Sequence, residues 1–165
     1  MSTKNLHHKE SALKSAITIR SLTKRYGNIT AVDDISLNIE QGDFYGFIGP
    51  NGAGKTTTIK SMLNLLKINE GGIEIFGENV DKNLFQEDIG YVPGEANLYD
   101  NLKVGDQIKY FARYYPNIDT GYLKHIKGLF AVDENKRIAQ LSLGNKKKVA
   151  IICALMNQPK ILIFV

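Results

Sequence analysis

The chain has 165 residues, enough for one substantial hydrophobic core and little more. Its 43% hydrophobic and 23% charged residues match an ordinary soluble α/β protein. The balance of 21 basic against 17 acidic residues leaves +4, too mild to mark a nucleic-acid binder. The excess sits in the tail "MSTKNLHHKESALK" and in Lys146, Lys147 and Lys148, neither interleaved with aromatics.

Taken in chain order, residues 1–15 are polar and unpatterned and read as a flexible tail; His7 and His8 in it lack the further ligands that a metal site needs. "AITIRSLTKRYG" and "AVDDISLNIEQGD" alternate and are divided by turn residues, which predicts two antiparallel strands. "FYGFIG" reads as a short apolar strand running into a glycine-rich loop. "KTTTIKSMLNLLK" carries Ile59, Met62, Leu63 and Leu66 at helical spacing, "GGIEIFGENV" reads as a hairpin-like strand, and "DIGYVPG" as a strand leading into a loop.

From about Leu98 the pattern becomes helical. "VGDQIKYFARYY" and "TGYLKHIKGLF" read as amphipathic helices separated by Pro116, Asn117 and Asp119, a helical subdomain spanning about residues 98–140. "LSLGNKKKVAIICALMNQP" is a further helix with Val149, Ile152, Cys153 and Met156 on its apolar face, ended by Pro159. Ile161 to Val165 reads as a short buried strand. Cys153 is the only cysteine, which excludes an internal disulfide and fits a reducing compartment; its apolar neighbours make it a buried, inert thiol. The N-terminus lacks the apolar core of a secretory signal. No apolar run approaches the ~20 residues that span a bilayer, so a membrane role is expected only through a partner.

Two stretches carry chemistry. Gly49, Pro50, Asn51, Gly52, Ala53, Gly54, Lys55 and Thr56 form "GPNGAGKT", the pattern G-x-x-x-x-G-K-[ST], with Thr57 following. Glycines let the backbone wrap so that its N–H groups face phosphate oxygens. Lys55 offers a point charge to the β- and γ-phosphates, Thr56 a hydroxyl to Mg²⁺, and the helix start the positive end of its dipole. The second stretch is Leu141, Ser142, Leu143, Gly144 and Asn145, "LSLGN". Ser142 is a good N-cap and Gly144 permits close backbone approach. Lys146, Lys147 and Lys148 occupy the first turns of the helix, where the macrodipole disfavours cations. Either an anion docks there or the lysines swing into solvent.

In this order and spacing, "GPNGAGKTTT", "LSLGN" and "PKILIF" resemble the nucleotide-binding subunits of bacterial export-type ABC transporters, over about residues 17–165. The resemblance implies an α/β phosphate-loop NTPase core with an antiparallel β subdomain and a helical insertion, within one nucleotide-binding domain at 16–165. It implies ATP and Mg²⁺ as cofactors and Tyr26 of "KRYG" as an aromatic stacking on adenine. Such stacking is worth about 1–3 kcal/mol on nucleic-acid bases; a tyrosine at a strand end is otherwise half-buried packing. Ser142 and Gly144 would meet the γ-phosphate of ATP held by a second, identical or different, nucleotide-binding subunit. The helical insertion would face a membrane-spanning permease, placing the protein in the cytoplasm on the inner face of the cell membrane.

The chain departs from that family twice. Gly94 stands where a glutamine is usual, and Glu95 beside it is either a substitute contact for metal or water or an ordinary exposed loop glutamate. Val165 stands where the family has the aspartate that supports Mg²⁺, and valine offers no oxygen. The C-terminal part of the core, with the catalytic glutamate and a later histidine, is expected to be missing, through natural truncation, a frameshift or an incomplete reading frame. The function expected is that of an ATP-binding subunit driving transport, with this chain alone deficient in hydrolysis. The alternative is a non-enzymatic nucleotide-binding remnant or an unstable, pseudogene-like fragment.

Overall fold

A computed structural model describes residues 15–82, 85 and 87–165. Of the tail expected over residues 1–15, residues 1–14, with His7 and His8, lie outside them; Ser15 is no part of a tail, since it pairs with Glu40 at the start of the first strand. The chain divides into two compact units, one ending at Asn83 and the other starting at Leu84.

The first unit is built on a four-stranded antiparallel sheet in the order β2-β1-β3-β4, from β1 (Ser15–Tyr26), β2 (Ile29–Glu40), β3 (Glu70–Ile75) and β4 (Glu78–Asn79). Alternation sets the register: Ile17 and Ile19 of β1 face Ile75 and Ile73 of β3 on one side and Ile39 and Leu37 of β2 on the other. Ile17, Ile19, Ile73 and Ile75 are buried, as period-two apolar residues on a half-covered sheet must be. Helix α1 (Lys55–Met62) follows the glycine-rich loop and buries Thr58, Ile59, Ser61 and Met62. It is shorter than its apolar spacing predicts. Asn64, at φ 54°, takes the left-handed conformation that ends helices, and its side-chain amide donates to the carbonyl of Val80 at 3.0 Å. Leu63 and Leu66 therefore lie beyond the helix.

The strand expected at "FYGFIG" is absent: residues 43–50 form no regular element, and Phe44 and Ile48 are almost fully exposed. A strand exists only through its ladder, and no described residue pairs with this run.

The second unit joins two parallel strands, β5 (Ile89–Val92) and β6 (Ile161–Phe164), to helices α2 (Val104–Ala112), α3 (Thr120–Phe130) and α4 (Leu143–Leu155). Helix α4 packs on β5, α2 and α3. Val104 and Ile108 of α2, Ile126 of α3, and Val149, Ile152, Cys153 and Met156 of and just beyond α4 form one buried cluster with Ile138. Asp119 caps α3, accepting from the Tyr122 N–H at 2.9 Å, so the polar break between the two helices doubles as a start signal. The segment between α3 and α4 is stitched to the start of α2, where Val104 N–H donates to Lys136 O and Gly105 N–H to Glu134 O.

The terminal strand forms where expected but is not buried. Among the described residues β6 pairs with β5 alone, Ile161 and Ile163 are half-buried, and Leu162, Phe164 and Val165 are exposed. Parallel strands are buried only where both faces are covered. Among the described residues no helix is long and apolar enough to cross a membrane.

Candidate functional site

In the first unit the loop Gly49–Gly54 is shaped by two left-handed glycines, Gly52 at φ 85° and Gly54 at φ 81°. Gly54 is the more constrained. A Cβ there would come within 2.4 Å of the Ala31 carbonyl oxygen and 2.9 Å of Val32 Cγ2, so β2 holds the loop against itself through a residue without a side chain. Gly54 is also the N-cap of α1, its carbonyl accepting from Thr58 N–H at 2.8 Å and from the Thr58 hydroxyl at 3.0 Å. The Ala53 N–H closes a turn onto Pro50 O at 3.2 Å.

Lys55 folds back over this loop: its Nζ donates to Gly49 O at 2.6 Å and Pro50 O at 2.7 Å. No acidic residue occupies the first turn of α1, so the positive end of its dipole is unopposed from within the helix. Asn51, Gly52, Ala53 and Thr56 are exposed and Thr57 is half-buried. A steric cradle, an ammonium held by neutral carbonyls and an open helix start fit a polyanion such as a triphosphate. They do not fit a metal cage. Thr56 brings one hydroxyl, and among the described residues no three His, Cys, Asp or Glu come together to hold a metal ion.

Tyr26 ends β1, 46% exposed, opposite Ile29 of β2. The ammonium of Lys24 lies 4.9 Å from its ring centroid.

In the second unit Ser142 caps α4 as expected, its hydroxyl accepting from Asn145 N–H at 3.3 Å. Leu141 is half-buried; Leu143, Gly144 and Asn145 are exposed, and beyond its chain neighbours and its own helix backbone no described residue comes within 4 Å of where a Gly144 Cβ would sit. The three lysines do not share one fate. Lys146 Nζ pairs with Asp100 Oδ1 at 2.7 Å, so an internal carboxylate answers one of the charges for which an anion or solvent was expected, while Lys147 stays exposed.

The two departures are neighbours. Val165 N–H donates to Val92 O at 3.0 Å, and a Cβ on Gly94 would lie 3.2 Å from Val165 O. The ends of β5 and β6 thus bring together two positions without a side-chain oxygen. Glu95 is exposed.

The ABC transporter family matches residues 32–164. The chain belongs to that family. It is 38% identical over 152 residues to an uncharacterized ABC transporter ATP-binding protein, YhaQ, of Bacillus subtilis, covering 89% of this chain and 51% of that one. It is 36% identical to the bacitracin transport ATP-binding protein BcrA of Bacillus licheniformis, covering 92% and 51%. The chain therefore spans about half the length of these curated relatives. Among solved structures it superimposes on an ATP-binding subunit of an ABC transporter with a TM-score of 0.80 at 25% identity, over 90% of this chain and 65% of that one. Its fold also matches cbiO1 from Clostridium perfringens at 0.77 and 23% identity, over 92% and 65%. The fold is thus the α/β fold of ABC nucleotide-binding subunits, with their antiparallel β subdomain.

Two buried side chains of the second unit stand apart from these stretches. Burial pushes the Cys153 thiol up to about 12, which makes it unreactive, as its apolar setting predicts. Gln107 escapes a reading of the sequence. It is fully buried, its Oε1 accepts from Tyr99 N–H at 2.8 Å, and its Nε2 has no hydrogen-bond partner among the described residues. The signal was there: position 107 falls on the stripe of Val104, Ile108 and Phe111, where a polar residue is out of pattern.

Proposed function

We propose that this chain is the ATP-binding part of an ABC transporter and grips the triphosphate of ATP through the loop Gly49–Thr56, while Tyr26 carries the adenine. The observation that carries this reading is Gly54, which leaves no room for a side chain against Ala31 and opens α1, whose first turn carries no acidic residue. Lys55 would exchange its two loop carbonyls for phosphate oxygens. Loop amides and the α1 dipole would hold the remaining charge, the kind of positioning and electrostatic support on which phosphoryl transfer depends. Ser142 and Gly144, at the exposed start of α4, would meet the γ-phosphate bound by a second nucleotide-binding subunit. A permease would carry the substrate, with this protein on the inner face of the membrane and ATP binding and hydrolysis in the complete assembly driving transport.

A second reading, binding without turnover by this chain alone, is favoured by Gly94 and Val165, which bring no side-chain oxygen to the ends of β5 and β6. Glu95 is the nearest carboxylate in sequence to Gly94 and would have to serve instead.

Equilibrium titration of the purified chain with ATP tests both. Saturable binding that Lys55→Ala weakens at least about tenfold supports the phosphate-loop reading. Binding indifferent to that substitution overturns it.

A further inference from the structure

Lys24 and Tyr26 stand two residues apart at the end of β1, and the lysine is anchored over the ring. Its Nζ donates to the carbonyl of Lys67 at 2.7 Å while lying 4.9 Å from the Tyr26 centroid. The segment that supplies this carbonyl is itself fixed to the strand. Asn69 N–H donates to Thr23 O at 2.9 Å, and Arg25 N–H donates to Asn69 Oδ1 at 2.7 Å. Three hydrogen bonds thus tie residues 67–69 to Thr23, Lys24 and Arg25, and one of them sets the cation on the ring.

An ammonium on one face of a tyrosine has two consequences for whatever binds the other. It leaves a single face for stacking and holds the ring in one orientation, so less freedom is lost when a flat ligand arrives. It also draws π-density toward itself, leaving the opposite face less negative and a better platform for an electron-rich purine.

We propose that Lys24 is a positioning residue for the nucleobase, acting through Tyr26 and not through the phosphates. The proposal rests on the reading of Tyr26 as the base platform given above.

The test compares ATP with inorganic tripolyphosphate, which keeps the charge and lacks the base, by titration calorimetry of the full chain. Lys24→Met is expected to lower ATP affinity about threefold and leave tripolyphosphate affinity unchanged, with Lys24→Arg restoring ATP binding. In a Tyr26→Ala background Lys24→Met should have no further effect. Lys24→Gln repeats the comparison should the methionine variant fold poorly. Equal losses for both ligands would show a generic charge effect and overturn the proposal, as would no loss for either. A parent chain that binds tripolyphosphate as tightly as ATP removes the base platform and the proposal with it. One that binds neither removes the phosphate loop's role as well.

Discussion

Val165 donates its N–H to Val92 O, and this brings its own carbonyl oxygen to 3.2 Å from the point where a Gly94 side chain would begin. Two positions 71 apart in sequence, each without a side-chain oxygen, are thereby made neighbours by the parallel pairing of β5 and β6. Mg²⁺ needs oxygen ligands, commonly one or two carboxylates beside phosphates and water.

The prediction is that this chain binds ATP with little dependence on the metal. Chelation with EDTA should change the dissociation constant less than about threefold, and phosphate release should stay at background. Turnover at a steady catalytic rate, abolished by EDTA, would show that Glu95 or another group takes over the metal contact.

Gly52 and Gly54 offer a controlled comparison. Both are left-handed, but only Gly54 is crowded, so Gly52→Ala carries the backbone strain alone, about 1 kcal/mol, while Gly54→Ala adds a collision with the Ala31 carbonyl. Urea unfolding should show Gly54→Ala costing about 2–4 kcal/mol, well above its neighbour. Equal costs would mean that β2 yields and the close approach is not a constraint.

Cys153 sets a pH dependence. Its thiol ionises at an ordinary value of 9.0 and is pushed up to about 12 by burial. A group whose folded value is raised supports the native state fully below its unfolded value, and loses that support as pH climbs through the folded one. The contribution is therefore intact below about pH 9 and declines from there toward about 12. At pH 8 a thiol reagent should label the native chain only as fast as it opens, and urea should accelerate labelling by orders of magnitude. Rapid labelling without denaturant would contradict the burial.

Much of this was legible because the deciding interactions are local. The cap at Ser142 acts within three residues, and the apolar stripe of α4 follows from its period. The loop Gly49–Gly54 was legible as a glycine-rich pattern, although the reason for its last glycine, the Ala31 carbonyl, lies 23 residues upstream. What sequence could not show is non-local. "FYGFIG" has the composition of a strand, yet strand formation depends on partners elsewhere. Helix α1 stops at a left-handed Asn64 that answers Val80, and Lys146 is claimed by an aspartate 46 residues away. The cation on Tyr26 owes its place to the carbonyl of Lys67.

The bonds from Lys55 to Gly49 and Pro50 prop the loop from inside. On the reading proposed above, the loop would already be shaped when a polyanion arrives, and docking would be an exchange of oxygens: two peptide carbonyls would step back as phosphoryl oxygens step in. Such a swap would spare the ammonium any interval without partners, and much of the ordering cost of capture would be met during folding.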